Sequence, residues 1–182
     1  MRTAYVFLIA CCTPFAVRAG DACDSLVPSA LGSQLKATYV GYRLPHESDN
    51  LSEDIQYARE HGQTGCLGVA VADFDGDGKP DYALGLTQIN GPGALIIVAV
   101  ARSERWQLHK LDTWKDDRSR LYVSSDAAGT YDRFGGFDGP PEKGEVERLR
   151  CAHAVVVFGA TESSGVVYCL NNSRWQHTWA SD

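Results

Sequence analysis

The sequence predicts an α+β, β-rich domain: an antiparallel sheet or small β-sandwich with one or two short N-terminal helices. Three observations predict it. Apolar runs of strand length, rich in Val and Ile, recur at 67–72, 82–86, 94–101, 154–158 and 165–170. Stretches of Gly, Asn, Pro and Asp separate them and turn the chain. Helical spacing of apolar residues occurs only ahead of these runs, between 24 and 60. Helices set apart from strands make an α+β domain; alternating units would predict a parallel sheet.

Residues 1–19 read as an export signal. Arg2 gives a short basic start, 4–10 an apolar run, and Val17-Arg18-Ala19 a small-x-small cleavage site. Cleavage after Ala19 leaves 163 of the 182 residues as one domain, 20–182, with 15 basic and 23 acidic side chains and a formal charge of −8. That predicts a periplasmic or secreted protein. Leu8-Ile9-Ala10-Cys11 also matches a lipoprotein cleavage box, so a lipid anchor through Cys11 is the alternative. The leader is too short to span a membrane, and no later apolar stretch approaches the roughly 20 residues required. The acidic balance disfavours nucleic acid and anionic membranes, both of which reward basic surfaces.

In chain order, Leu26, Val27, Ala30, Leu31 and Leu35 predict a helix over 24–37, with Pro28 in its first turn. Residues 39–45 read as an extended connector. A second helix is expected over 52–60, capped by Ser48 or Asp49 and stopped by Gly62.

Two strands then flank Asp73-Phe74-Asp75-Gly76-Asp77-Gly78-Lys79-Pro80-Asp81. Carboxylates fall at loop positions 1, 3, 5 and 9, and Lys79 can offer its backbone carbonyl at position 7. This alternation aims several oxygens at one hard cation; calcium takes six to eight oxygen ligands at about 2.3–2.6 Å. Gly76 and Gly78 allow the backbone angles of a tight turn. An EF-hand is excluded, because it needs a bidentate Glu at position 12 and flanking helices. Position 12 is Leu84, and the flanks are strand-like.

The stretch VADFDGDGKPDYALGL, within Val69 to Leu86, resembles the FG-GAP or VCBS type of calcium loop found in integrin-type β-propellers and many secreted bacterial proteins. That resemblance implies Ca2+ bound by Asp73, Asp75, Asp77, Lys79 (through its carbonyl) and Asp81, in a hairpin at 67–86. It implies no activity. A full β-propeller is not expected, since the chain is too short for four blades and the loop occurs once.

Beyond the loop, 88–93 is a turn, 94–101 a central strand buried on both faces, and 106–111 a further strand, giving a meander. Residues 121–124 read as a strand. Residues 129–144, with five glycines and two prolines, read as a mobile surface loop. Its Tyr131, Phe134 and Phe137 either fold back over the core or form a contact surface. The chain ends in a three-stranded meander with turns at 159–164 and at Asn171-Asn172. Trp175, His177 and Trp179 share one face of the last strand, as cross-strand packing or as a carbohydrate platform.

Removal of the leader leaves Cys23, Cys66, Cys151 and Cys169, which allow up to two disulfides in three connectivities. If the 159–164 turn centres on Glu162, Cys169 lies opposite Val155. Cys151 would then be four residues out of register, too far to bond. On that reading Cys151 or Cys169 reaches back to Cys66 or Cys23. No cysteine pair has the spacing of a zinc site.

Catalytic signals are sparse. His46, His61, His109, His153 and His177 are scattered, and there is no His-Glu-x-x-His, Gly-x-Ser-x-Gly or phosphate-binding glycine loop. His153 and His177 fall in predicted strands and could meet. Glu162 with Asp138 or Asp132 could form a carboxylate pair for glycoside hydrolysis. The leading expectation is an exported, calcium-binding, non-enzymatic module that binds another protein, for instance a periplasmic inhibitor or immunity-type protein. The alternatives are a small secreted hydrolase of cell-wall or glycan polymer and a structural envelope lipoprotein.

Overall fold

A computed structural model describes residues 20–103, 105–135, 139–163 and 165–180; the expected export signal at 1–19, with Cys11, lies outside them, as do Phe137 and Asp138. Among the described residues the order of elements is two helices, a short strand, a third helix and then ten strands. Helix α1 (Ala22–Leu26) is capped by Asp21, which accepts from the Cys23 N–H, and α2 (Ser29–Thr38) follows Pro28. One continuous helix was expected here. Proline disfavours the helical region for the residue before it, and Val27 is accordingly extended at φ −97°, ψ 116°, so the run splits in two. Strand β1 (Tyr42–Arg43) lies in the expected connector, and α3 (Ser52–Glu60) has the expected bounds, but its cap is Leu51. Asp49 instead ends a short 3₁₀ turn and holds β1 through Arg43.

Among the described residues the strands pair antiparallel, apart from one isolated parallel bridge between Glu145 and His177 of the last strand. Strands β2 (Val69–Ala72), β3 (Asp81–Gln88), β4 (Ala94–Ala101) and β5 (Trp106–Trp114) form one sheet with β1, which shares the outer edge of β3 with β2. Strands β6 (Leu121–Asp126), β9 (Val155–Ala160), β10 (Gly165–Asn171) and β11 (Arg174–Ala180) form a second sheet in the order β11-β10-β9-β6. Strands β7 (Gly129–Asp132) and β8 (Arg148–Cys151) pair as a separate hairpin. The expected α+β, β-rich sandwich is what the chain adopts.

Period-2 alternation explains why β4 is an unbroken apolar run. Leu95, Ile97 and Ala99 face the helices, where Leu31 and Leu35 are buried beside them. Ile96, Val98 and Val100 face the second sheet, against Leu121, Val123, Val156, Phe158 and Val166. A central strand covered on both faces has no place for a polar side chain. Trp175 and Trp179 pack against this intersheet core, so the last strand's aromatics serve packing. A third cluster, Leu149, Cys151, Val155, Val167 and Cys169, lies where the β7–β8 hairpin packs on the second sheet.

That hairpin corrects two expectations. The stretch 129–144 is a loop only in part: β7 occupies its start, and Tyr131 folds back onto the third cluster and donates its hydroxyl to the Ala127 carbonyl. The disulfides are Cys23–Cys66 and Cys151–Cys169. The register argument against the second pair placed Cys169 opposite Val155, and the β9–β10 ladder has that register. But Cys151 is not on β9. The chain turns between Cys151 and Val155, so Cys151 meets β10 from another layer, with its Cα 5.9 Å from that of Cys169. The β10–β11 turn centres on Asn172 and Ser173, both at positive φ, one residue later than expected. Two disulfides in one small domain suit an oxidising, extracytoplasmic compartment. No helix among the described residues is long and apolar enough to cross a membrane.

Candidate metal centre

The acidic loop joins β2 to β3, as expected, and is fixed at both ends from inside. Phe74 is fully buried in the intersheet core. Asp81, fully buried at the first position of β3, accepts from the Phe74 N–H (3.0 Å) and from the Ala101 N–H (2.7 Å) at the end of β4. Asp73 organises the bend: one oxygen accepts from the N–H groups of Gly76 (2.7 Å) and Asp77 (3.1 Å), the other from Gly78 (2.9 Å). Gly76 and Gly78 lie at φ +79° and +82°, where a side chain would be strained.

Carboxylate oxygens of Asp73, Asp75 and Asp81 come within 4.8 Å of one another. Two oxygens that share an ion at about 2.4 Å can be at most about 4.8 Å apart, so the three carboxylates are close enough to share one cation. The donor set is oxygen-only, the preference of a hard cation. Asp77 does not join the trio. It accepts from the Lys79 N–H and from the Lys79 ammonium, both at 2.9 Å. Lys79 hydrogen bonding holds the Asp77 carboxyl below the usual carboxylate range, and Asp77 in turn raises Lys79. Burial pushes Asp81 up, and the charges of Asp75 and Asp77 add to that; the two backbone N–H groups oppose it without cancelling it. An upward shift in a buried carboxylate surrounded by carboxylates marks a place where a cation would be stabilising.

Two residues at this site carry no local sequence signal. Arg102, just beyond β4, donates to Asp75 at 2.6 Å. His153, exposed in the turn between β8 and β9, packs on the loop so closely that a methyl on Gly76 would stand 2.1 Å from its Cε1. The β8–β9 turn thus touches the loop through His153.

Among the described residues, the members of the other expected constellations have different neighbours, and Asp138 lies outside those residues. His177 is half-buried and stacks on Tyr168 at 4.7 Å between ring centroids, while His153 sits at the acidic loop. Burial lowers His177, against the pull of Glu145, Asp112 and Glu142. Asp132 is paired with Arg148 on the outer hairpin, and Glu162 occupies the β9–β10 turn at φ +61°. No family model matches the chain, and no curated protein or solved structure matches it.

Proposed function

We propose that this chain is an exported, calcium-binding, non-enzymatic module that binds another protein. In its most concrete version it is a periplasmic inhibitor or immunity-type protein that covers a basic enzyme. The observation that carries the calcium reading is the convergence of the Asp73, Asp75 and Asp81 carboxylates on a loop wedged between two strands. In this proposal the three carboxylates hold the ion, and Asp77, exchanging the Lys79 ammonium for the ion, completes the set with the Lys79 carbonyl, as the FG-GAP resemblance implies. The ion offsets repulsion among the aspartates and ties β2 to β3, a structural role suited to the weak affinities of extracellular calcium modules.

Protein binding is supported by the acidic balance and by the two disulfides, which suit a small domain working outside the cell. Affinity capture from a periplasmic or secreted fraction tests it: a basic protein retained in calcium is the expected result, and no retained protein removes the reading. The metal half is tested separately by Asp75→Ala combined with Asp77→Ala, which should abolish calcium-dependent stabilisation.

A second reading, the small secreted hydrolase, draws on one observation: Glu162 borders an acidic groove together with Glu53, Asp54 and Asp126. Breakdown of cell-wall polymer or glycan by the purified chain, lost in Glu162→Gln, would establish it and displace the non-enzymatic reading.

A further inference from the structure

The outer edges of β2 and β6 face one another across a groove of about 1090 Å³. One backbone bond closes its end, from the Val123 N–H to the Leu67 carbonyl at 2.7 Å. Beyond it the two strands are not paired. The ladder settles where their remaining groups point. Gly68 accepts from Gly85 of β3, so antiparallel alternation turns Ala70 and Ala72 toward β3, and Val69 and Val71 toward the groove. Val123 points at Leu67, so Ser125 shares its direction while Ser124 and Asp126 pair with β9. Among the described residues, the backbone groups of Val69, Val71 and Ser125 on this side meet no partner.

Exposed strand edges are usually covered or guarded by charge. The outer edge of β11 is covered, since Val146 and Phe134 donate to its His177 and Trp179 carbonyls. The edge of β5 carries Lys110 and half-exposed polar side chains. Among the described residues, the β2 and β6 edges have no such cover. Their walls include Tyr57 and Val71, two of the five exposed large hydrophobics among the described residues. The rim is of one sign: Glu53, Asp54, Asp126 and Glu162 border the groove, and among the described residues no Lys, Arg or His does.

We infer that this groove accepts an extended, basic segment of a partner protein, which pairs its backbone with the free groups of Val71 and Ser125, beyond the Leu67–Val123 bond that joins the two edges. Main-chain bonds give such strand addition its affinity, and alternate side chains give it specificity. Apolar residues of the segment face Val71 and Tyr57, and its Lys or Arg residues meet the acidic rim. Anionic ligands are repelled by the same charges. The inference rests on the protein-binding reading above and names the surface and the partner's chemistry.

The test is a titration of the ¹⁵N-labelled protein, in calcium and in chelator, with a capped octapeptide of alternating Lys and Val. A Glu–Val octapeptide is the control. Shifted and exchange-protected amides at Val71 and Ser125 with the Lys–Val peptide alone are expected. Ser125→Pro removes one groove-facing N–H without touching the β9 ladder and should abolish protection at the edge. If that variant melts early, Glu53→Lys with Glu162→Lys, both at exposed positions, should weaken the Lys–Val peptide about tenfold. No response at millimolar peptide, an equal response to both peptides, or shifts produced by protein concentration alone (pairing of two copies) overturns the inference. A natural partner captured equally by wild type and both variants also overturns the groove, while leaving the protein-binding reading in place.

Discussion

In an Asp81→Asn variant the side chain keeps its shape, but one acceptor oxygen becomes an amide donor. The wild-type oxygens accept from Phe74 N–H at 3.0 Å and Ala101 N–H at 2.7 Å, so either orientation of the amide sets a donor against a buried donor. Losing one hydrogen bond to a charged group removes about 1.5–3 kcal/mol, and an orphaned buried N–H costs about 1–3 kcal/mol more. Part of this is returned, because burial already pushes the Asp81 carboxyl up and neutralising it relieves that strain. A net loss of about 2–3 kcal/mol follows, which at about 2–4 °C per kcal/mol lowers Tm by about 4–12 °C in chelator at neutral pH. On the proposed ligand set, calcium should widen the gap, since only the wild type keeps all of it. At ten times Kd the wild type gains about 1.4 kcal/mol. Differential scanning calorimetry of both proteins, with and without calcium, reads both effects. Equal Tm values in chelator would refute the hydrogen-bond argument, and a gap unmoved by calcium would refute Asp81 as a ligand.

Two further substitutions probe the scaffold around the site. Burial pushes Asp49 up, but hydrogen bonds from Arg43, the His46 N–H and the Thr87 hydroxyl outweigh it and hold the carboxyl below its usual range. A depressed carboxylate stabilises above its unfolded-state pKa, near 3.9, and that contribution is lost as pH falls through the folded value. Asp49→Asn should therefore flatten the acid limb of the Tm-against-pH profile; an unchanged limb would remove the assignment. Gly76→Ala and Gly78→Ala share a left-handed backbone, for which a Cβ costs about 1–2 kcal/mol. Only the first also displaces His153, since nothing lies within 4 Å of a Cβ at Gly78. Gly76→Ala should shift the His153 ring resonances while Gly78→Ala leaves them in place; equal spectra would show that His153 does not rest on the loop.

What the sequence made legible is what depends on local pattern. The β4 run, the bounds of α3 and the β2–β3 hairpin follow from periodicity and turn residues over a few positions. Asp73, Asp75 and Asp81 were legible as a converging set because a tight loop brings alternate side chains to one side. What stayed hidden depends on contacts between layers. Cys151 and Cys169 bond from different layers, so counting residues along one sheet excluded them wrongly. Arg102 and His153 reach the loop from the ends of other strands, and neither lies in a recognisable motif. The pairing of Asp77 with Lys79 is a choice between two partners for one carboxylate, and spacing alone does not decide it. Pro28 was read as a first-turn residue when its larger effect falls on Val27 before it.

The direct test of a cation seated between β2 and β3 is isothermal titration of the chelated protein with calcium. One ion per chain with Kd about 10⁻⁴–10⁻³ M is expected, with a saturable shift of the Gly76 and Gly78 amides in a parallel NMR titration. Absence of binding heat, with those amides and the melting temperature unmoved by calcium, would contradict it.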